Sequence, residues 1–151
     1  MATIQILKSS ERTLSEAREN AFQNLGRQYA EQDPVGATAW LEKLPEGRSR
    51  DAAVGSFADA LAASEPDVAA KWVETVSDEN MRNSRMQMIA QRWMDTDPAA
   101  ARPWIERSSI PADAKNWLLN RQDGSPTRPM PPMMDPRLRT RYGLPPRPVQ
   151  P

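Results

Sequence analysis

Asp33-Pro34-x-x-Ala37-x-x-Trp40-Leu41-Glu42 is the stretch that decides the fold, because the chain repeats it twice. The second copy is Glu65-Pro66-x-x-Ala69-x-x-Trp72-Val73-Glu74, and the third is Asp97-Pro98-x-x-Ala101-x-x-Trp104-Ile105-Glu106. Each copy starts 32 residues after the one before it. A constant period of this length is the signature of tandem helical-repeat proteins, in which each unit is one supersecondary element.

Each copy of the motif reads as the start of a helix. Asp33 is a good N-cap, and Pro34 suits the first helical position because its missing N–H would be unpaired there anyway. Pro34 also disfavours helical backbone at Asp33 and so ends the preceding helix. Glu65 is a poorer cap, which predicts a looser second junction. We expect the small and aromatic positions to form the repeat core, namely Ala37, Ala69, Ala101, Trp40, Trp72 and Trp104.

A second amphipathic helix precedes each motif. In the first repeat its apolar face is Phe22, Leu25, Gly26, Tyr29 and Ala30, spaced as one face of an α-helix. The predicted fold is therefore all-α, a short α-solenoid of about three antiparallel helix hairpins (about 18–49, 50–81 and 82–113). A partial capping helix at 111–122 completes a repeat domain at 1–122. At the other end, Ser9 or Ser10 is predicted to start the first helix. Ile4, Ile6 and Leu7 are then expected to cover the exposed end of the first helix pair, and the alternative is a frayed leader.

Composition changes at residue 123. Nine of the last 29 residues are Pro, which predicts a disordered Pro/Arg-rich tail over 123–151. The net charge of the whole chain is zero, but residues 1–119 carry 14 basic and 18 acidic side chains. Residues 120–151 carry six Arg and two Asp. This asymmetry indicates that the tail has partners of its own, including the acidic repeat domain in cis.

Phe22-x-x-Leu25-Gly26-x-x-Tyr29 resembles the first helix of a tetratricopeptide repeat. The whole pattern, over roughly residues 14–119, is similar to bacterial helical-repeat proteins built on Asp-Pro-x-x-Ala-x-x-Trp units. The resemblance implies a tetratricopeptide-like α-solenoid used for protein contacts. It implies no catalytic residues.

The residue types that are missing argue against catalysis. The chain has no His and no Cys, which removes the usual general base, the commonest metal ligands and a thiol nucleophile. It also has no glycine-rich phosphate loop. We therefore expect no enzyme, no cofactor and no metal. No apolar run is long enough for a membrane span, and we expect a cytoplasmic protein if Met1 is the true start.

A protein-interaction or scaffold module is the expected function. Candidate contact residues are polar or adaptable side chains on the first helices of the first and third hairpins, namely Gln23, Gln28, Gln87, Met88, Gln91 and Arg92, and three tail arginines, Arg137, Arg139 and Arg141. The alternative is a structural spacer whose tail is the recognition element, through Pro-x-x-Pro segments for an SH3-like partner or through Arg for an acidic protein surface or nucleic acid. The acidic repeat domain has no basic stripe, which argues against nucleic acid.

Overall fold

The computed structural model describes residues 2–120 and 136–144. Within them the chain forms eight α-helices and no strand. The helices are α1 (Ala2–Gln32), α2 (Pro34–Lys43), α3 (Arg48–Leu61), α4 (Pro66–Val73), α5 (Glu79–Thr96), α6 (Pro98–Arg107), α7 (Ala112–Leu119) and α8 (Pro136–Arg141). The all-α prediction is confirmed. No helix in this part of the chain has the length and apolar character needed to cross a membrane.

The helices form three consecutive hairpins and an end helix. The pairs α1/α2, α3/α4 and α5/α6 pack within each hairpin, and α7 packs on α5 and α6. The first helices of the hairpins also pack on one another in the order α1, α3, α5. We call α1, α3 and α5 the A helices, and α2, α4 and α6 the B helices.

The repeated motif starts each B helix as the sequence predicts. The Asp33 carboxylate accepts a hydrogen bond from Gly36 N at 3.0 Å, and Asp97 accepts one from Ala100 N at 3.1 Å. Asp78 caps α5 in the same way, through Met81 N at 2.8 Å. Glu65 makes no such side-chain cap. The middle repeat therefore begins its B helix without the bond that starts the other two.

The motif also supplies the core. Ala37, Ala69 and Ala101 are fully buried. Each motif Trp lies against an aromatic ring of the A helix in its own hairpin: Trp40 against Phe22 and Tyr29, Trp72 against Phe57, and Trp104 against Trp93. Trp72 is buried, whereas Trp40 and Trp104 are half-buried. The middle repeat is thus the most enclosed of the three.

The start of α1 differs from the sequence prediction. The helix begins at Ala2 rather than at Ser9 or Ser10, and Ser9 bonds back to the Gln5 carbonyl inside the helix. This back-bonding lets a Ser occupy a helix interior without ending it. The expectation that the first apolar residues cover the end of the array is also wrong, since Ile4, Ile6 and Leu7 are exposed.

Residues 136–144 depart from the prediction of a tail without structure. Pro136 begins α8, and Gly143 ends it at φ +61°. Gly143 N donates to Thr140 O at 3.1 Å and Leu144 N to Arg139 O at 3.0 Å, the two bonds of a Schellman helix end. Residues 121–135 and 145–151 lie outside the described residues. The Pro-x-x-Pro segments, which start at Pro126, Pro129 and Pro145, fall there.

Candidate functional site

The tail helix α8 lies on the B helices, against α2, and its side chains reach α4. Leu138 is fully buried in the common core. Three further side chains of the segment contact the repeats: Arg139, Arg141 and Tyr142. We call their surroundings the α8 site, defined by Thr38, Glu42, Glu65, Asp67 and Trp72.

Arg139 occupies the centre of the α8 site. Its Nη1 lies 2.8 Å from Glu65 Oε2, and its Nη1 and Nη2 lie 3.1 and 2.7 Å from the two Asp67 oxygens. The Glu65 side chain is fully buried and that of Arg139 is 9% exposed. Burial works against the charged guanidinium, but the hydrogen bonds from Arg139 to Asp67 and Glu65 outweigh it and raise the pKa of Arg139. The planar fork of an Arg matches such a pair of carboxylates, which a Lys cannot do.

The position of Glu65 explains its departure from the motif. It occupies the cap position at which the other two copies have Asp. Instead of capping α4, its longer side chain reaches Arg139. Glu65 and Asp67 both lie at the amino end of α4, where the helix dipole favours negative charge. The start of the middle B helix thereby presents two carboxylates to the Arg139 guanidinium.

Tyr142 contacts the motif Trp of the middle repeat. Trp72 Nε1 donates to the Tyr142 hydroxyl oxygen at 2.7 Å, and the two rings meet edge to face at 6.4 Å. Thr38, buried in α2, also lies beside that oxygen, and its hydroxyl donates to the Val35 carbonyl at 2.7 Å. Tyr142 therefore bridges the first two B helices.

Arg141 makes the outer contact, 2.9 Å from Glu42. Glu42 ends the first copy of the motif as Glu74 ends the second. Between the second and third repeats, Trp104 Nε1 donates directly to Glu74 at 3.2 Å. At the first junction the equivalent residues, Trp72 and Glu42, bond to Tyr142 and Arg141 instead. The tail thus binds the Trp and the Glu at the first junction, whereas at the second junction the equivalent Trp and Glu bind each other.

Two grooves adjoin the segment. One of about 250 Å³ is lined by Glu42, Arg50, Lys71, Trp72, Thr75 and Tyr142. The other, about 390 Å³, lies between α4 and α6 beside Leu144 and includes Lys71, Glu74, Trp104 and Arg107. Both lie on the B-helix face and mix an indole with side chains of both charges. No cluster in the described part of the chain could hold a metal ion through three or more His, Cys, Asp or Glu side chains.

Six of the sequence-predicted contact residues lie on A helices, and the three tail arginines lie on α8. Gln28, Gln91 and Arg92 are exposed, whereas Gln23, Gln87 and Met88 are half-buried. These six lie on α1 and α5, with α3 packed between those helices, so they do not form one continuous surface. The three tail arginines lie on α8, where Arg137 and Arg141 are exposed and Arg139 is buried.

Sequence reasoning missed the acceptor side of the α8 site. The signals were present: Glu replaces the motif Asp only at position 65, and Asp135-Pro136 repeats the start of the motif seven residues before Gly143. An Asp-Pro start and a Gly end are a helix signature even in a Pro-rich segment.

The chain was compared with family models, with curated proteins and with solved structures. No family model, no curated protein and no solved structure matches the chain.

Proposed function

We propose that the chain is a non-catalytic protein-interaction module whose B-helix face binds a short helical peptide segment. The observation that carries the proposal is the buried contact of Arg139 with Glu65 and Asp67. In this structure residues 136–144 occupy the site in cis. A partner segment of the same chemistry would occupy it in trans, and the tail would compete with that partner.

The contacts define the segment that would be recognised. It carries an apolar residue at the Leu138 position, an Arg one residue later and a Tyr three residues after that. The acidic pair at the start of α4 selects a guanidinium, since two carboxylates with a bidentate geometry discriminate against a point charge. The Tyr ring and hydroxyl match Trp72, which offers an aromatic edge and an N–H together.

Arg139 supports specificity more than raw affinity. Burying an ion pair costs desolvation that offsets most of the attraction, whereas leaving one member buried alone is strongly unfavourable. A segment without the Arg would strand the Glu65 carboxylate. The site therefore rejects the wrong segment more strongly than it rewards the right one.

The test uses the full chain and a fluorescent peptide of residues 134–146. In the Arg139→Ala chain the cis segment no longer fills the site, so we expect that chain to bind the peptide at least about tenfold more tightly than the wild type, whose site is mostly occupied. Fluorescence anisotropy measures both affinities. The Arg141→Ala chain is the matched control: it removes an Arg of the same helix whose contact with Glu42 is exposed, and its affinity should stay close to the wild-type value.

Two further measurements keep the proposal open to refutation. A peptide carrying Arg139→Ala should not bind any chain. In the Arg139→Ala chain, Asp67→Asn should abolish binding of the normal peptide, because it removes one carboxylate of the acceptor and keeps its shape. If the Arg139→Ala chain binds the normal peptide no more tightly than the wild type does, the B-helix face is not a peptide site. The tail itself would then be the better candidate for the recognition element.

A further inference from the structure

The exposed apolar side chains of the repeats are concentrated on one helix. Among the described residues, seven large hydrophobic side chains are exposed, and six of them lie on α1. They are Ile4, Ile6, Leu7, Leu14, Leu25 and Tyr29. Single exposed hydrophobics are ordinary on a protein surface, but a group aligned on one element marks a contact surface.

Most of α1 extends beyond the helices that pack on it. It has 31 residues, whereas α2 has 10 and α3 has 14. Arg48, the first residue of α3, lies 3.8 Å from Glu19. On the amino side of Glu19, every described side chain from Thr3 to Arg18 is exposed. This part of α1 therefore projects with its side chains exposed, and Arg48 at the start of α3 borders it on one side.

Five of the apolar residues of α1 fall on a heptad stripe. Counting from Ile4 in alternate steps of three and four residues gives Ile4, Leu7, Glu11, Leu14, Arg18, Ala21 and Leu25. This spacing over three heptads is that of a coiled-coil seam. Ile6 lies off the stripe although it is as exposed as the others, 64% against 68% for Leu14. Ile6 therefore serves as a control for Leu14, because it is equally exposed but lies off the stripe.

The two charged residues of the stripe select an orientation. In a parallel pair of α1 helices, Glu11 would face Glu11 and Arg18 would face Arg18. In an antiparallel pair centred between Leu14 and Ser15, Glu11 lies level with Arg18 of the second copy, and Ile4 lies level with Leu25. Polar residues in a seam fix register and orientation at a cost in stability. Opposite charges on the stripe therefore meet only in the antiparallel arrangement, in which a two-fold axis perpendicular to the helices makes the dimer isologous.

We infer that α1 pairs with α1 of a second copy of this chain, as an antiparallel two-helix interface closed by Glu11–Arg18 contacts. The interface lies in the A-helix layer and does not use the α8 site, so it stands independently of the proposed peptide binding. Because two of the seven seam positions are charged, the dimer should dissociate in the micromolar range.

Sedimentation equilibrium of the full chain, from roughly 1 to 500 µM, tests this. We expect a mass that rises with concentration from the 17.0 kDa monomer to twice that value. Leu14→Glu should keep the chain monomeric throughout, because it places two like charges next to the two-fold axis. Ile6→Glu, with the same change of charge at a site equally exposed but off the seam, should dimerise like the wild type. Circular dichroism of both variants checks that they stay helical.

A charge exchange tests the orientation. Glu11→Arg and Arg18→Glu should each weaken dimerisation at least about tenfold, because each creates like-charge pairs across the antiparallel seam. The double variant should recover the wild-type value. A wild type that stays monomeric at all concentrations would overturn the inference, and so would a dimer that Leu14→Glu and Ile6→Glu weaken equally. Recruitment of a monomeric chain to lipid vesicles would instead assign the stripe to a membrane surface.

Discussion

At the scale of single residues, Glu65 and Arg139 show how a repeat protein acquires a specific site. In the other repeats the equivalent carboxylate caps a helix, and losing such a cap lowers protein stability by about 1 kcal/mol. The middle repeat gives up that bond and gains a buried acceptor for a guanidinium. At the cap position the change is one additional methylene, from Asp to Glu, and Asp67 adds the second carboxylate that Arg139 contacts.

Tyr142 reports whether the tail occupies the site. Burial raises its pKa above the ordinary value of about 10, and hydrogen bonds from Thr38, Trp72 and Arg141 only partly oppose this effect. The docked pKa is thus higher than the free one. Docking is fully supported below the free pKa and weakens as the pH rises through the docked value. We expect α8 to leave the repeats in strongly alkaline solution.

Tyrosinate absorbance measures this shift directly. The chain has two Tyr residues, so Tyr29→Phe leaves Tyr142 as the only one. In that background the Tyr142 midpoint should lie above about 10, and adding Arg139→Ala should return it to about 10, the value of a free Tyr. Equal midpoints in the two chains would show that Arg139 does not hold Tyr142 in place.

At the scale of elements, the packing of α1 on α3 depends on Gly26. A Cβ at this position would lie 2.4 Å from the Ala53 carbonyl oxygen, so the two helices could not keep their separation. Gly55 of α3 is also buried, but a Cβ there would meet the flexible Arg85 guanidinium at 3.4 Å. Gly26 therefore allows the backbones of α1 and α3 to approach closely, whereas Gly55 can be replaced by Ala.

Gly26→Ala and Gly55→Ala form a matched pair for measuring this difference. We expect Gly26→Ala to lower the free energy of unfolding by about 1–3 kcal/mol through overpacking against backbone. Gly55→Ala should leave it unchanged or raise it by up to ~1 kcal/mol, because Ala is the better helix former. Urea denaturation of the two chains gives both values. A Gly26→Ala chain as stable as the wild type would contradict the close approach.

At the scale of the whole molecule, the three hairpins form a nearly one-dimensional array in which the middle one has two neighbours. Trp72 belongs to that hairpin, is 5% exposed, and contacts both Phe57 and the tail. Trp40 has the same place in the first hairpin but is half-buried. We therefore expect Trp72 to contribute more to the free energy of unfolding than Trp40, although the two occupy equivalent positions of the repeat.

Trp72→Ala should therefore cost about 3–5 kcal/mol of unfolding free energy and release the tail. Trp40→Ala should cost less and leave α8 in place. Urea denaturation followed by Trp fluorescence measures the first effect, and limited proteolysis after Arg137, Arg139 and Arg141 measures the second. Equal costs for the two substitutions would mean that burial of the motif Trp does not set its contribution.

The local rules of helix construction account for what the sequence predicted. Asp-Pro starts, the 32-residue period and the apolar spacing predicted the hairpins, the caps at Asp33 and Asp97, and the buried alanines. The acceptor side of the α8 site escaped prediction because Glu65 lies 74 residues before Arg139 and no periodicity links the two. The composition of residues 123–151 also concealed a short helix, since average Pro content says little about one six-residue segment.

The Trp–Glu pair at the repeat junctions has an evolutionary consequence. Trp104 and Glu74 satisfy each other when no segment lies between the repeats, whereas Trp72 and Glu42 serve the tail. Part of the surface that accepts α8 is therefore made of motif positions that recur in every unit. Internal duplication of one unit would copy the Trp and Glu positions of the groove together with the scaffold, whereas the acceptor pair Glu65 and Asp67 occurs only in the middle repeat.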